Sequence, residues 1–240
     1  MILQQDERIE DLQCDGLKII QNKRLYTFTS DSVVLANYIH TSKNDCVVEI
    51  GAGCGVISIL VQAKNNLKKI TAFEIQQEMA NLCNKNIELN NLQDKIVLIN
   101  DKIQNSDKYI KPASVDVVFS NPPYFKLTNF NQNAVKQNAK EEILLPLQEL
   151  VKTSARMLKD GGKFYCCYGA ERSIELLCEC QKQNLFVKEM FYTENGRGEV
   201  KIVVIKAVKN GKNGVKVLPH LVTNEENGNY IEKLKTKNFK

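Results

Sequence analysis

Histidine, paired metal-binding cysteines and long apolar runs are all scarce in this chain of 240 residues. There are only two histidines, His40 and His220, which argues against a hydrolase triad built on that residue. The eight cysteines include no Cys-x-x-Cys pair, so we do not expect a structural zinc site. We expect the cysteines to be reduced thiols. The sequence therefore predicts a protein without a metal.

Membrane and export signals are missing as well. No apolar run approaches the roughly 20 residues that span a bilayer, and residues 1–7 lack the basic-then-apolar layout of a signal peptide. We therefore expect a cytoplasmic protein with no membrane association. With 43% hydrophobic residues, the chain can bury one sizeable α/β core.

Positive charge is concentrated at the C-terminal end. Residues 201–240 carry nine lysines and three glutamates, although the whole chain has a formal net charge of only +5. Such clustering is the footprint expected of phosphate contacts with a nucleic acid. A solvated lysine-rich tail would have the same composition, so both interpretations stand.

Strand and helix patterns alternate along the chain. Seven strands are predicted, at residues 46–50, 69–73, 96–100, 114–120, 163–168, 186–192 and 200–208. The intervening helices are predicted at residues 56–61, 76–90, 141–158 and 171–183. Because the segment 193–199 is too short for a helix, the last strand should be antiparallel. The predicted fold class is α/β, with a doubly wound, mostly parallel, Rossmann-like sheet of seven strands, preceded by a hairpin of residues 17–21 and 25–28.

A glycine-rich turn, Gly51-Ala52-Gly53-Cys54-Gly55, follows the first predicted strand, and Glu49 stands two residues before it. Such a turn brings the backbone close to a ligand at the switch point of an α/β sheet. A nicotinamide-binding fingerprint would need a small residue where Val56 stands. The pattern instead resembles motif I of the S-adenosylmethionine-dependent methyltransferases, which implies cofactor binding by Glu49, Gly51, Gly53 and Gly55. A plain tight turn is the alternative.

Further polar residues stand where a doubly wound sheet would bring them to the same ligand. Glu74 ends the second strand, about 20 residues past the glycines, where an acid can accept both ribose hydroxyls of an adenosyl group. Asp101 ends the third strand and is placed to accept from an adenine amine. Thr29-Ser30-Asp31 opens a helix as an N-cap, and the same groups are predicted near the methionine end of the cofactor.

The run Asn121-Pro122-Pro123-Tyr124 directly follows a predicted buried strand. Proline has no N–H, so this turn offers acceptors with almost no competing donors. An exocyclic NH₂ group needs two acceptors, and the tyrosine ring can stack on the base that carries it. We therefore predict that Asn121, Pro122, Pro123 and Tyr124 are catalytic, and that Asn121 also contacts the cofactor. A Pro-Pro turn with a packing tyrosine is the alternative.

Taken together, these motifs resemble the bacterial tRNA N6-adenine methyltransferases that act on adenine 37 of a valine tRNA. The resemblance covers nearly the whole chain, through residues 7–12, 28–32, 49–55, 120–125, 209–219 and 228–230. Two departures concern Lys140-Glu141, where relatives commonly carry Arg-His, and His220, where a second proline is usual. The resemblance implies a class I methyltransferase fold, S-adenosylmethionine as cofactor and tRNA as substrate, and leaves the oligomeric state open.

The expected organisation is an N-terminal hairpin and helix over residues 1–45, a methyltransferase domain over 46–208 and a basic extension over 209–240. A protein-glutamine N5-methyltransferase is an alternative, because it uses Asn-Pro-Pro-Tyr on a side-chain amide. Such enzymes usually carry a longer helical domain before the sheet. A DNA adenine methyltransferase would need an added target-recognition domain. A non-catalytic RNA-binding module is the alternative from another class.

Overall fold

The computed structural model describes residues 3–25, 27–123, 145–195 and 197–223. They form two compact units, one that ends at Lys102 and one that begins at Ile103. The domain limits that the sequence predicts, after residues 45 and 208, stay predictions.

The first unit opens with an antiparallel hairpin of β1 (Glu7–Asp11) and β2 (Lys18–Asn22). The predicted pairing of residues 17–21 with 25–28 was therefore wrong. Sequence periodicity missed β1 because Ile9 is its one apolar residue, and that residue is 43% exposed. The predicted turn does exist, since the Leu25 N–H donates to the Asn22 carbonyl at 3.1 Å, but residues 27–29 are not in a strand.

Three parallel strands form the sheet of the first unit, with β4 between β3 and β5. They are β3 (Val47–Ile50), β4 (Ile70–Phe73) and β5 (Ile96–Ile99). The helices of this unit are α1 (Ser30–Tyr38), α2 (Val56–Asn65) and α3 (Gln77–Leu89). Since α2 connects β3 to β4 and α3 connects β4 to β5, each is a crossover between parallel strands. All residues of β3 are buried, so the strand carries Glu49 into the core.

The second unit has a sheet in the order β10-β8-β9-β7-β6. Its strands are β6 (Val115–Ser120), β7 (Leu158–Gly169), β8 (Leu185–Asn195), β9 (Val200–Lys209), β10 (Lys216–Val217) and β11 (Leu221–Thr223). The helices are α4 (Leu147–Met157) and α5 (Ser173–Lys182), and short 3₁₀ turns cover Ile103–Lys108 and Ala170–Arg172.

Aromatic side chains form the core around β6. Phe119 lies opposite Tyr165 of the parallel neighbour β7, and both are essentially fully buried. Burying a side chain of this size stabilises the fold by about 1.5 to 3 kcal/mol relative to leaving it exposed. The carboxyl end of β6 is therefore held firmly up to Ser120, which is itself fully buried.

The predicted fold class is confirmed: the protein is α/β, with a mostly parallel central sheet. β9 is antiparallel to both β7 and β8, as the short 193–199 segment predicted. The sequence predicted seven strands after the hairpin, and the described residues contain two more, because β10 and β11 also pair with β8. Strands of two and three residues are too short for their periodicity to be detected. Among the described residues, no helix combines the length and apolarity needed to cross a bilayer.

Candidate active site

The glycine turn between β3 and α2 is bonded to the end of β4. The N–H groups of Gly51 and Ala52 both donate to the Phe73 carbonyl, each at 2.9 Å. Gly51, Gly53 and Gly55 all have positive φ angles, of 75°, 56° and 86°. At Gly55 space is restricted as well, since a Cβ there would lie 2.7 Å from Cys83 Sγ. This backbone conformation therefore requires glycine.

Glu74 joins the second glycine of the turn to the start of α3. One carboxylate oxygen accepts the Gly53 N–H at 2.8 Å, and the other accepts the Gln76 N–H at 2.8 Å. The residue is 5% exposed, and burial raises the pKa of its carboxyl group. A carboxylate has about four lone-pair sites, so this one can still accept a ligand hydroxyl. The structure thus brings together two residues, Gly53 and Glu74, that the sequence assigned to the same site.

Glu49 is fully buried at the end of β3 and bonded to α2. The Ser58 hydroxyl donates to one of its carboxylate oxygens. The other oxygen is buried and has no hydrogen-bond partner among the described residues. Burial raises the pKa of this carboxyl group to about 8, although the Ser58 hydrogen bond acts in the opposite direction. A buried carboxyl oxygen of this kind fits a ligand that supplies a hydrogen-bonding partner.

The ends of β4 and β5 are bonded together next to these acids. The Glu74 N–H donates to the Ile99 carbonyl at 3.1 Å, and Asn100 Nδ2 donates to the Glu74 carbonyl at 2.8 Å. Asp101 follows directly, and its Oδ1 accepts the Lys102 N–H at 2.7 Å. Its predicted contact with an adenine amine stays a prediction.

Thr29 occupies the N-cap position of α1, but its side chain makes no capping hydrogen bond. The Ser32 N–H donates instead to the Thr29 backbone carbonyl at 3.1 Å. Side-chain capping by Thr29 was therefore wrong, because the backbone turn already occupies that donor. Ser30 donates to its neighbour Asp31 at 3.5 Å. Contact of these residues with the methionine end of a cofactor stays a prediction.

In the second unit, Asn121, Pro122 and Pro123 directly follow β6. Pro122 is buried, whereas Asn121 and Pro123 are half-buried. The turn thus begins at the end of a buried strand, as predicted. Tyr124 lies outside the described residues, as do the departing residues Lys140 and Glu141.

Three residues with structural roles at the glycine turn and the nearby strand ends were missed by sequence reasoning: Ser58, Asn100 and Asn86, whose Nδ2 donates to the Cys54 carbonyl of the turn at 2.9 Å. Ser58 interrupts the apolar run of α2, and Asn86 stands on the buried stripe of α3, one turn beyond Cys83. A polar residue at a core position was the available signal in both cases. No group of three or more histidine, cysteine, aspartate or glutamate side chains that could hold a metal occurs among the residues that the structure describes.

The strand, glycine turn and helix of the first unit, followed by acids after β4 and β5, form the ligand-binding arrangement of a Rossmann-like α/β sheet. A comparison with solved structures shows that the fold is that of the class I methyltransferases. A predicted O-methyltransferase from Agrobacterium tumefaciens has a TM-score of 0.67 at 16% identity, covering 85% of this chain and 94% of that one. The TYW2 protein of Methanocaldococcus jannaschii, in complex with AdoMet, has a TM-score of 0.59 at 17% identity, covering 86% and 87%.

The chain belongs to the methyltransferase small domain family, whose model matches residues 27–178. Two relatives carry the name tRNA1(Val) (adenine(37)-N6)-methyltransferase. The one from Dyadobacter fermentans is 30% identical over 56% of this chain and 55% of its own length. The one from Shewanella woodyi is 24% identical over 70% of each chain. The chain therefore spans little more than half the length of the first of these relatives. A putative protein N5-glutamine methyltransferase of Methanocaldococcus jannaschii is 32% identical over 47% of this chain and 54% of its own length.

Proposed function

We propose that this protein methylates N6 of an adenine in tRNA, namely adenine 37 of a valine tRNA. One observation carries the proposal: Asn121, Pro122 and Pro123 directly follow the buried strand β6. They offer an amide oxygen and backbone carbonyls where two prolines remove the competing N–H donors. The names of the Dyadobacter and Shewanella relatives support this substrate.

The cofactor of the family, S-adenosylmethionine, supplies an electrophilic methyl group on a sulfonium ion. The residues present fit such a ligand. Glu49 offers a buried carboxyl oxygen that has no partner among the described residues, and Glu74 is oriented by backbone donors and keeps lone-pair capacity for hydroxyl groups. In this proposal the glycine turn of Gly51, Gly53 and Gly55 lies against the cofactor, and Asp101 and Thr29–Asp31 hold its two ends.

The chain's own residues would then make the adenine amine reactive. Its lone pair is delocalised into the ring, so the amine is a poor nucleophile. The Asn121 side-chain oxygen and the Pro122 carbonyl accept its two N–H groups and favour a tetrahedral nitrogen. Positive charge develops on that nitrogen during transfer, so fixed acceptor dipoles lower the barrier. Tyr124 stacks on the extruded base, as aromatic residues commonly do with RNA loop nucleotides.

Lysines of the C-terminal segment supply the phosphate contacts in this proposal. Lys212 and Lys216 are exposed. Lys188 shapes the loop between β9 and β10, because its Nζ donates to the Lys212 carbonyl at 3.1 Å. Lys126, Lys136 and Lys140, proposed as a second basic rim, lie outside the described residues. A tRNA substrate also carries the expectation of a cytoplasmic location.

The decisive experiment incubates the purified protein with labelled S-adenosylmethionine and tRNA from a strain that lacks its gene. Separated tRNA species are then digested and their nucleosides identified by mass spectrometry. We expect N6-methyladenosine in a valine tRNA, and its loss with Asn121→Ala. Asn44→Ala, which changes an exposed asparagine of the first unit, serves as the matched control and should retain activity. A wild-type protein that leaves every tRNA unmethylated would overturn the proposal.

N5-methylation of a glutamine in a release factor is the second candidate, favoured by the Methanocaldococcus relative. The same acceptor arrangement suits a side-chain amide as well as an adenine amine. Adding a release factor as a second substrate in the same assay separates the two activities. A non-catalytic RNA-binding module predicts tRNA binding without any calorimetric signal from S-adenosylmethionine.

A further inference from the structure

Two asparagines at the end of α3 bind the outer edge of the hairpin. The Ile20 N–H donates to Asn86 Oδ1 at 2.6 Å, and Asn86 Nδ2 donates to the Ile20 carbonyl at 3.1 Å. Asn90 makes the same pair of hydrogen bonds with Lys18, at 2.9 and 2.7 Å. Four helical residues rise about as far as two strand residues, roughly 6 Å, so the two spacings match. The two amides therefore take the place of a neighbouring strand along β2.

The third hydrogen bond distinguishes the two asparagines. Asn86 Nδ2 also donates to the Cys54 carbonyl, inside the glycine turn, at 2.9 Å. Asn90 Nδ2 donates instead to the Asn86 carbonyl of its own helix, at 2.8 Å. Asn86 is fully buried, so an unmade hydrogen bond there is costly. A single side-chain amide thus joins the hairpin to the turn.

Another observation shows that the same helix lies close against the turn. Cys83 of α3 lies directly under Gly55, where a Cβ would be 2.7 Å from its sulfur. The hairpin, α3 and the turn are therefore packed as one assembly within the first unit.

We propose that Asn86 is a positioning residue that couples docking of the β1–β2 hairpin to the conformation of the glycine turn, and through it to cofactor affinity. The second half of this statement rests on the proposed function. When the hairpin is docked, Asn86 is fixed at Ile20 and holds the Cys54 carbonyl in place. Because coupling between two sites is reciprocal, a ligand that orders the turn also stabilises the docked hairpin.

The ligand-free test compares Asn86→Ala with Asn90→Ala by amide hydrogen exchange. Each variant removes three side-chain hydrogen bonds, of which two go to β2. We expect exchange of the Gly55 amide, which donates to the Ala52 carbonyl at 2.8 Å, to rise about tenfold in Asn86→Ala. Asn90→Ala should loosen Lys18 and leave Gly55 within about twofold of wild type. Equal Gly55 exchange in the two variants would overturn the coupling. If Asn86→Ala does not fold, Asn86→Ser replaces it under the same criteria.

The ligand arm uses S-adenosylhomocysteine as the probe, measured by calorimetry on the full chain. We expect its Kd to rise about tenfold in Asn86→Ala and to change less than about twofold in Asn90→Ala. In wild type the probe should also slow exchange of the Ile20 amide, and this protection should disappear in Asn86→Ala. Unchanged affinity and unchanged Ile20 exchange would refute the link to the cofactor. A wild-type protein that binds no probe contradicts the proposed function, whereas the ligand-free comparison still decides the coupling.

Discussion

Replacing Glu49 by glutamine should change how the stability of this protein depends on pH. The Glu49 carboxyl group is fully buried, and burial raises its pKa from the ordinary value of 4.5 to about 8. Between these two values the native protein holds a proton on Glu49 that the unfolded chain has released. The native state binds more protons in this window, so stability falls as pH rises from 4.5 towards 8 and is level on either side. Glutamine does not titrate, and the variant lacks this contribution.

The expected size follows from the same two values. Each pH unit between the two pKa values is worth about 1.36 kcal/mol, so Glu49 lowers stability by about 3 kcal/mol at pH 7 relative to its protonated state. The unfolding free energy of Glu49→Gln should therefore rise relative to wild type by about that amount between pH 4.5 and 7. Glu74 also has a raised pKa, and its charge helps to raise the pKa of Glu49, so its own contribution cancels only in part in the difference.

Urea unfolding at a series of pH values, monitored by far-ultraviolet circular dichroism, measures this difference. Circular dichroism is the suitable probe because the chain has no tryptophan to report by fluorescence. Ser58→Ala provides a second check, because the Ser58 hydrogen bond lowers the Glu49 pKa and its removal should extend the falling region to higher pH. A difference between wild type and Glu49→Gln that stays constant from pH 5 to pH 8 would show that Glu49 titrates normally, and the argument would fail.

Three further predictions concern the turn and the RNA. Glu74→Ala should weaken S-adenosylmethionine binding, measured by calorimetry, by about tenfold or more, because it removes the charged acceptors and the hydrogen bond that anchors Gly53. The control Glu78→Ala changes an exposed glutamate and should leave the affinity unchanged. Equal affinities of the two variants would contradict the assignment. Gly55→Ala should lower the unfolding free energy by about 2 to 4 kcal/mol, because the new Cβ would stand at a positive φ angle and clash with Cys83. Gly161→Ala, where φ is also positive but no atom lies near the new Cβ, should cost only about 1 kcal/mol. Similar losses in the two variants would show that the structure relieves the clash. Truncation after Thr223 removes four lysines and should lower the log–log salt slope of tRNA binding by about one unit for each phosphate that the protein no longer neutralises, with cofactor affinity retained. An unchanged slope would exclude that segment from the RNA interface.

The parts of the fold that the sequence predicted correctly are those with buried, continuous apolar runs. β3, the glycine turn and α2 could be located because strand, glycines and helix follow one another without interruption. Glu74 could be assigned because the residue after a parallel strand faces the ligand edge of the sheet. Local patterns therefore identify both the element and the acid that follows it.

The remaining features depend on contacts between distant parts of the chain. β1 has mostly charged residues and is a strand only because β2 lies beside it. The bond from Asn86 to Cys54 spans 32 residues, and no local pattern shows which carbonyl a buried amide will find. The sequence alone would suggest a truncation after Val208, on the assumption that β9 is the last strand. The structure shows that β10 and β11 follow β9.

Those two short strands also protect the sheet from self-association. β8 is 11 residues long, and a bare strand of that length at the border of a sheet presents unpaired N–H and C=O groups that recruit other chains. β10 pairs with β8 at Glu189–Met190 and β11 at Thr193–Asn195, so short segments cover much of this border. A protein cut after Val208 would have no such cover, and its failure in any assay would reflect aggregation as readily as weaker RNA binding.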